Sequence, residues 1–102
     1  MRLISETTVR DWAKQNPQAA SGLEAWIAVA KAMDWQSLVD VRRTFPNADA
    51  VTVASGSTVT VFNIAGNKYR LITALHYNRG MAYTLRFMTH AEYSKDKWKS
   101  QL

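Results

Sequence analysis

The chain has 102 residues, no cysteine, two histidines and a formal net charge of +5. Its length suits one modest hydrophobic core, and a single domain over residues 1–102 is expected. Without cysteine there is no disulfide framework or thiolate metal site, and His76 with His90 alone does not make a structural zinc site. No apolar run approaches the ~20 residues of a membrane span, and MRLISETTVR is not a signal peptide, so a cytoplasmic protein with no metal and no cofactor is expected.

In chain order, Met1 to Ser5 reads as a first strand. Ser5 or Thr7 can then cap a helix through Gln15, with Glu6 in its first turn and Val9, Trp12 and Ala13 on one face. A second helix is expected from Pro17 to about Met33, with Ala20, Leu23, Trp26, Ile27 and Ala30 at helical spacing and Gly22 within it. Trp35 to Phe45 suggests a short third helix with Trp35, Leu38 and Val39 along it, ended by Pro46-Asn47. Ala48 to Ala54 and Thr58 to Ile64 are expected strands around the turn Ser55-Gly56-Ser57. Two further strands and a short basic helix opening at His90-Ala91-Glu92-Tyr93 complete an α+β chain.

Turn chemistry extends this to register. Gly66-Asn67 suits a two-residue hairpin loop, which pairs Phe62 with Leu71 and Ile64 with Tyr69 on one face, and Asn63 with Arg70 and Val61 with Ile72 on the other. Asn78-Arg79-Gly80 suits a three-residue loop with Gly80 left-handed. That loop pairs Leu75 with Tyr83, Thr73 with Leu85, Leu71 with Phe87, Ile72 with Arg86 and Ala74 with Thr84. A two-residue loop would invert the strand and turn Tyr83 and Leu85 to the Arg70 face. In the three-residue register Asn63, Arg70 and Arg86 share one open face, the two arginines being diagonal neighbours with stems about 7–8 Å apart. Cations converging there repel one another unless an anion lies between them.

The charge is one-sided. Residues 1–59 carry six basic and six acidic side chains; residues 60–102 carry seven basic ones against Glu92 and Asp96. Such a surface favours a polyanionic partner. Arg70 and Arg86, with Lys68, are candidate anion ligands, although single strand arginines are commonly just solvated. His90 can move a proton near neutral pH or serve only as a turn residue. Tyr93 can assist or merely cover the sheet edge. Glu92 suits an ion pair with Lys95 or Lys97, and the run Lys95, Lys97, Lys99 reads as a solvated tail or an RNA footprint. Asn63 and Asn67 are further candidate RNA contacts. Trp12, Trp26 and Trp35 look structural, Trp98 suits an interface, and His76 the surface. Together these groups suit phosphodiester cleavage by the RNA 2′-hydroxyl, which needs a base, an acid and fixed cations but no metal.

The residues Met1-Arg2-Leu3-Ile4-Ser5, Phe62-Asn63-Ile64, Gly66-Asn67-Lys68-Tyr69-Arg70-Leu71-Ile72, Arg86-Phe87 and Thr89-His90-Ala91-Glu92-Tyr93, with Trp26 and Pro46, resemble the HigB family of bacterial toxins in the RelE-like group. The resemblance spans nearly the whole chain. It implies an N-terminal strand and two to three helices packed on a mixed, mainly antiparallel sheet, with a short C-terminal helix. It implies a ribosome-dependent endoribonuclease that cleaves translated mRNA in the A site. The implied partner is a HigA-type helix-turn-helix antitoxin; the free toxin is expected to be monomeric, joining a hetero-oligomer with the antitoxin. Arg70, Arg86 and His90 match basic positions of the family, and Lys68 and Tyr93 follow them as catalytic candidates. The segment Phe87-Met88-Thr89-His90 is one residue shorter than in many relatives, and Ser94 stands where they often carry Asp. Two other readings use the same basic face: a non-catalytic RNA- or ribosome-binding module, and a protein-interaction domain.

Overall fold

Apolar residues at helical spacing bury one side each of α1 (Glu6–Gln15), through Val9 and Ala13, and α2 (Ala20–Ala32), through Leu23, Trp26, Ile27 and Ala30. These helices pack on each other and on a five-stranded sheet in the computed structural model, which describes residues 1–102. The strands are β1 (Arg2–Ile4), β2 (Asp49–Thr52), β3 (Thr58–Ile64), β4 (Tyr69–His76) and β5 (Met81–Thr89), in the spatial order β1-β5-β4-β3-β2. Only β1 and β5 run parallel, so the sheet is mixed and mainly antiparallel, as expected. A short α3 (Leu38–Thr44) and the five-residue α4 (His90–Ser94) complete the α+β fold.

The helix-side core centres on Phe62. Trp26 meets its ring edge-on at 5.5 Å, Phe45 edge-on at 5.2 Å, and Trp35 stacks at 6.0 Å. Gly22 lets α2 approach the β3–β4 turn: a Cβ there would lie 3.0 Å from Ile64 Cγ2 and 3.2 Å from the backbone nitrogen of Ala65. Ala65 is itself left-handed (φ 54) and poorly free to move. Gly22→Ala, which would stabilise an isolated helix by about 1 kcal/mol, is therefore expected to destabilise this protein by about 1 kcal/mol through overpacking. A urea titration against wild type checks the sign.

The β3–β4 register is the expected one, with Phe62 opposite Leu71 and Asn63 opposite Arg70. In β4–β5 the outcome divides. Leu71–Phe87 and Ile72–Arg86 pair as expected, but between Ile72 and Thr73 the register slips, giving Thr73–Thr84, Ala74–Tyr83 and Leu75–Ala82. Leu85 is the additional residue, a bulge that reverses the alternation of β5 below it. Tyr83 and Leu85 consequently lie on the Arg70 face, while fully buried Ala82 takes the helix side. Leu85 packs there with the second core, and Tyr83 meets His76 edge-on. The hairpin closes with four residues after the His76–Met81 pair, not the expected three: Tyr77–Arg79 form a one-turn 3-10 helix and Gly80 follows, left-handed (φ 64) as expected.

Smaller corrections follow from local geometry. Ser5 occupies the N-cap of α1 but is left-handed (φ 67) and makes no capping bond, because the chain reverses from strand to helix through that residue. The second helix opens with a separate 3-10 turn, Pro17–Ala19. Helix α3 starts only after Ser37, which is extended; its buried residue is Val41, and Val39 is 64% exposed. Strand β2 is shorter than expected: Val53 N donates to Ser57 O in the turn, and Ala54 turns away, its N–H donating to Lys99 O.

The largest correction concerns the Arg70 face, which is not open. Val53, Val59, Val61 and Ile72 form a second core under Trp98, which is only 4% exposed. Trp98 belongs to a C-terminal 3-10 helix, Lys97–Gln101, held by its indole N–H to Tyr93 O and by Lys99 O, which accepts from Ala54. Thus the expected basic tail is folded onto the sheet.

Candidate active site

The site is assembled where the β3–β4 turn meets the end of β5. Thr89 has the extended backbone of an N-cap (φ −71, ψ 161), and its hydroxyl accepts from Glu92 N at 3.2 Å while the Glu92 carboxylate accepts from Thr89 N. This reciprocal capping starts α4 directly after the strand. It also engages Glu92, so the expected ion pair with Lys95 or Lys97 is absent. Helix α4 is stitched to the turn by His90 N, which donates to Lys68 O at 2.9 Å.

Arg70 lies between turn and helix and is 7% exposed. Nη1 donates to the carbonyls of Asn67 (3.2 Å) and Tyr69 (3.0 Å); Nη2 donates to Asn67 Oδ1 and lies 3.0 Å from His90 Nδ1. Four acceptors thus surround the two terminal nitrogens. Arginine only donates, so Nδ1 of His90 must accept, and the neutral ring carries its proton on Nε2. The exposed imidazole therefore presents an N–H outward.

Tyr93 stands one helical turn on, with the Arg70 guanidinium carbon 5.6 Å from its ring centroid. Burial pushes its hydroxyl above the ordinary 10.0, and Lys99 offsets this in part. The phenol is therefore a neutral O–H donor at physiological pH. The sign for stability follows: the contribution of the neutral phenol is complete below pH 10 and is lost as pH rises through the raised folded value.

Tyr93 in turn stacks on Trp98, with centroids 5.2 Å apart. Beyond Trp98 lies a cleft of about 360 Å³ lined by Arg86, Glu92, Lys95, Lys97, Trp98 and Gln101, among others. Arg86 is exposed and its only side-chain hydrogen bond is to the carbonyl of Leu85. The expected constellation is thus divided by an aromatic wall. Arg70, His90, Tyr93 and Asn67 come together on one side, with the Lys68 backbone. Arg86, Lys95 and Lys97 come together on the other.

Asn63 faces Arg70 across β3–β4 but lines a small cleft with Thr44 to Ala48. Asn67 holds Arg70 instead of standing free. Lys99 pairs with Asp96 at 3.2 Å and lies over the Trp98 ring. The other six cations after residue 60 have no carboxylate partner, whereas Arg10, Lys31, Arg42 and Arg43 of the scaffold are all paired. No three His, Cys, Asp or Glu side chains gather as a metal site, and no helix is long and apolar enough to cross a membrane. Two contributions were missed in the sequence, the Asn67 clamp and the Trp98 wall. The three-residue spacing of Asn67 and Arg70 across a turn hinted at the first; nothing local signalled the second.

This arrangement can be compared with known proteins. The mRNA interferase HigB of Escherichia coli O6:H1 (strain CFT073) is 26% identical over 95 residues, covering 93% of this chain and 90% of that protein. The family model for HigB toxins, described as the RelE-like toxic component of a toxin–antitoxin system, matches residues 19–96. That span takes in α2, the whole Arg70 hairpin and α4, and on it the chain belongs to the HigB toxin family of toxin–antitoxin systems.

Proposed function

We propose that this toxin is a ribosome-dependent endoribonuclease that cuts translated mRNA in the A site by attack of the RNA 2′-hydroxyl. The observation that carries the reading is the Arg70–His90 pair: a buried guanidinium holding an exposed imidazole, with the Tyr93 ring against the guanidinium. The step removes a proton from the 2′-hydroxyl and delivers one to the leaving 5′ oxygen: water takes the first, and the Tyr93 hydroxyl gives the second and is reprotonated by solvent. The neutral His90 ring keeps its Nε2 proton and hydrogen-bonds the phosphoryl oxygen. Arg70 and Lys68 supply positive charge for the extra negative charge on phosphorus, and Arg86 adds to that field. Asn67 keeps Arg70 in place. The partner is a HigA-type helix-turn-helix antitoxin in a hetero-oligomer with an otherwise monomeric toxin, and action on translating ribosomes places the protein in the cytoplasm.

Primer extension on a reporter mRNA after brief induction tests this. Wild type is expected to give in-frame cuts within translated codons, and His90→Ala is expected to lower them by about 10²-fold or more, the usual contribution of one preorganised hydrogen-bond donor. Growth arrest without new 5′ ends would replace the nuclease by a non-catalytic ribosome-binding module. Cuts that persist at the wild-type level in His90→Ala would leave Arg70 and Lys68 as the groups that hold the phosphoryl oxygen.

A further inference from the structure

We propose that the cleft beside Arg86 is a separate phosphate subsite, which takes the backbone of a nucleotide neighbouring the cut in the same single RNA strand. The proposal rests on the nuclease reading for the identity of that strand, but not for the binding itself. Arg70 stacks on Tyr93, Tyr93 on Trp98, and only beyond Trp98 do Arg86, Lys95 and Lys97 converge. Arg86 thus has Lys95 and Lys97 for neighbours in the cleft, while the guanidinium of Arg70 is taken up by Asn67, Tyr69 and His90. The three cations have no carboxylate partner, since the nearby Glu92 is bound to Thr89. Like charges gathered in a cleft repel, and an anion between them removes that repulsion.

The cleft, about 360 Å³, lies in the size range of small-ligand sites. Its chemistry selects phosphate and sugar over base. The Trp98 ring is engaged by Tyr93 and the Lys99 ammonium, so it offers an edge and no stacking platform. Gln101 adds an amide able to bond a sugar hydroxyl. Contacts of this kind position a strand without reading its sequence.

The test is fluorescence anisotropy with a labelled 2′-O-methyl hexaribonucleotide, which cannot be cut by 2′-hydroxyl attack. Lys95→Gln/Lys97→Gln is the variant, both side chains being exposed and unpaired. Relative to wild type, the slope of log K against log salt is expected to shrink by about 0.7, the loss of the one phosphate contact that the subsite makes on a single strand. The loss is expected to be equal for two hexamers of unrelated sequence. An unchanged slope, or no hexamer binding by wild type, would overturn the proposal. A 5′-mononucleotide binding as tightly as the hexamer would overturn the strand assignment. So would a variant that keeps RNA affinity and releases the antitoxin, since the cleft would then serve a protein. Failure of the nuclease reading is read separately, as absence of new ends on unmodified mRNA.

Discussion

Arg70→Ala is expected to lower mRNA cleavage by about 10²–10³-fold, the range for loss of one preorganised electrostatic donor. Two effects combine in it. On the proposed mechanism the positive charge that faces the reacting phosphate disappears, and His90 Nδ1 loses the donor that sets its tautomer. Arg70→Lys keeps the charge but not the planar fork that reaches Asn67, Tyr69 and His90 together, so it is expected to restore only a small part of the activity. Long-range proton–nitrogen NMR on the free protein separates the effects. Wild type should show an unprotonated Nδ1 and a protonated Nε2, and Arg70→Ala a mixture of tautomers. A wild-type ring protonated on Nδ1 would show that Arg70 does not govern His90, whatever happens to the cleavage rate. Because Arg70 is buried, the thermal midpoint of each variant is needed alongside.

Trp98→Ala is expected to destabilise the fold by about 3–5 kcal/mol, the usual cost of removing a buried tryptophan. Trp98 closes the second core over Val53, Val59, Val61 and Ile72, stacks on Tyr93, and donates its indole N–H to Tyr93 O. Its loss opens that core to water and frees the 3-10 helix that also accepts from Ala54 N. Trp98→Phe keeps the ring but loses the hydrogen bond, and is expected to cost about 1 kcal/mol, the net worth of one such bond. Urea unfolding measures both. A change below about 1 kcal/mol for Trp98→Ala would mean that the C-terminal turn lies on the sheet without stabilising it, well outside the range for large core truncations. The effect also reaches the site, since Tyr93 stands between Trp98 and Arg70.

Most of the fold was legible in the residues because local signals agreed with one another. Apolar spacing marked both long helices, and alternation with Gly66-Asn67 sufficed to set the β3–β4 register. The β4–β5 hairpin shows where such signals end. Tyr83 and Leu85 can be buried on either face, so the pattern does not distinguish a regular strand from one that turns over at a bulge. The deciding factors are non-local: β1 pairs with Met81 to Tyr83, small Ala82 fits on the helix side, and Leu85 is received by the second core. Val39 and Val41 illustrate the same limit in a short helix, where the spacing admits either and packing selects Val41.

For the site, the sequence by itself determined that Asn63 and Arg70 share a face, since strand period and the Gly66-Asn67 turn place them there. Arg86 joins them because the bulge at Leu85 offsets a hairpin loop one residue longer than expected. The sequence also determined the excess of positive charge after residue 60. Only the tertiary structure decided that this face has a core of its own and that Arg70 is committed to Asn67 and His90. It likewise decided that Arg86 lies across an aromatic wall with Lys95 and Lys97. The physical reason is one of range. Register depends on neighbours a few residues apart along two strands, whereas the wall depends on the final turn of the chain folding back onto strands some forty residues earlier, as the bond from Ala54 N to Lys99 O records.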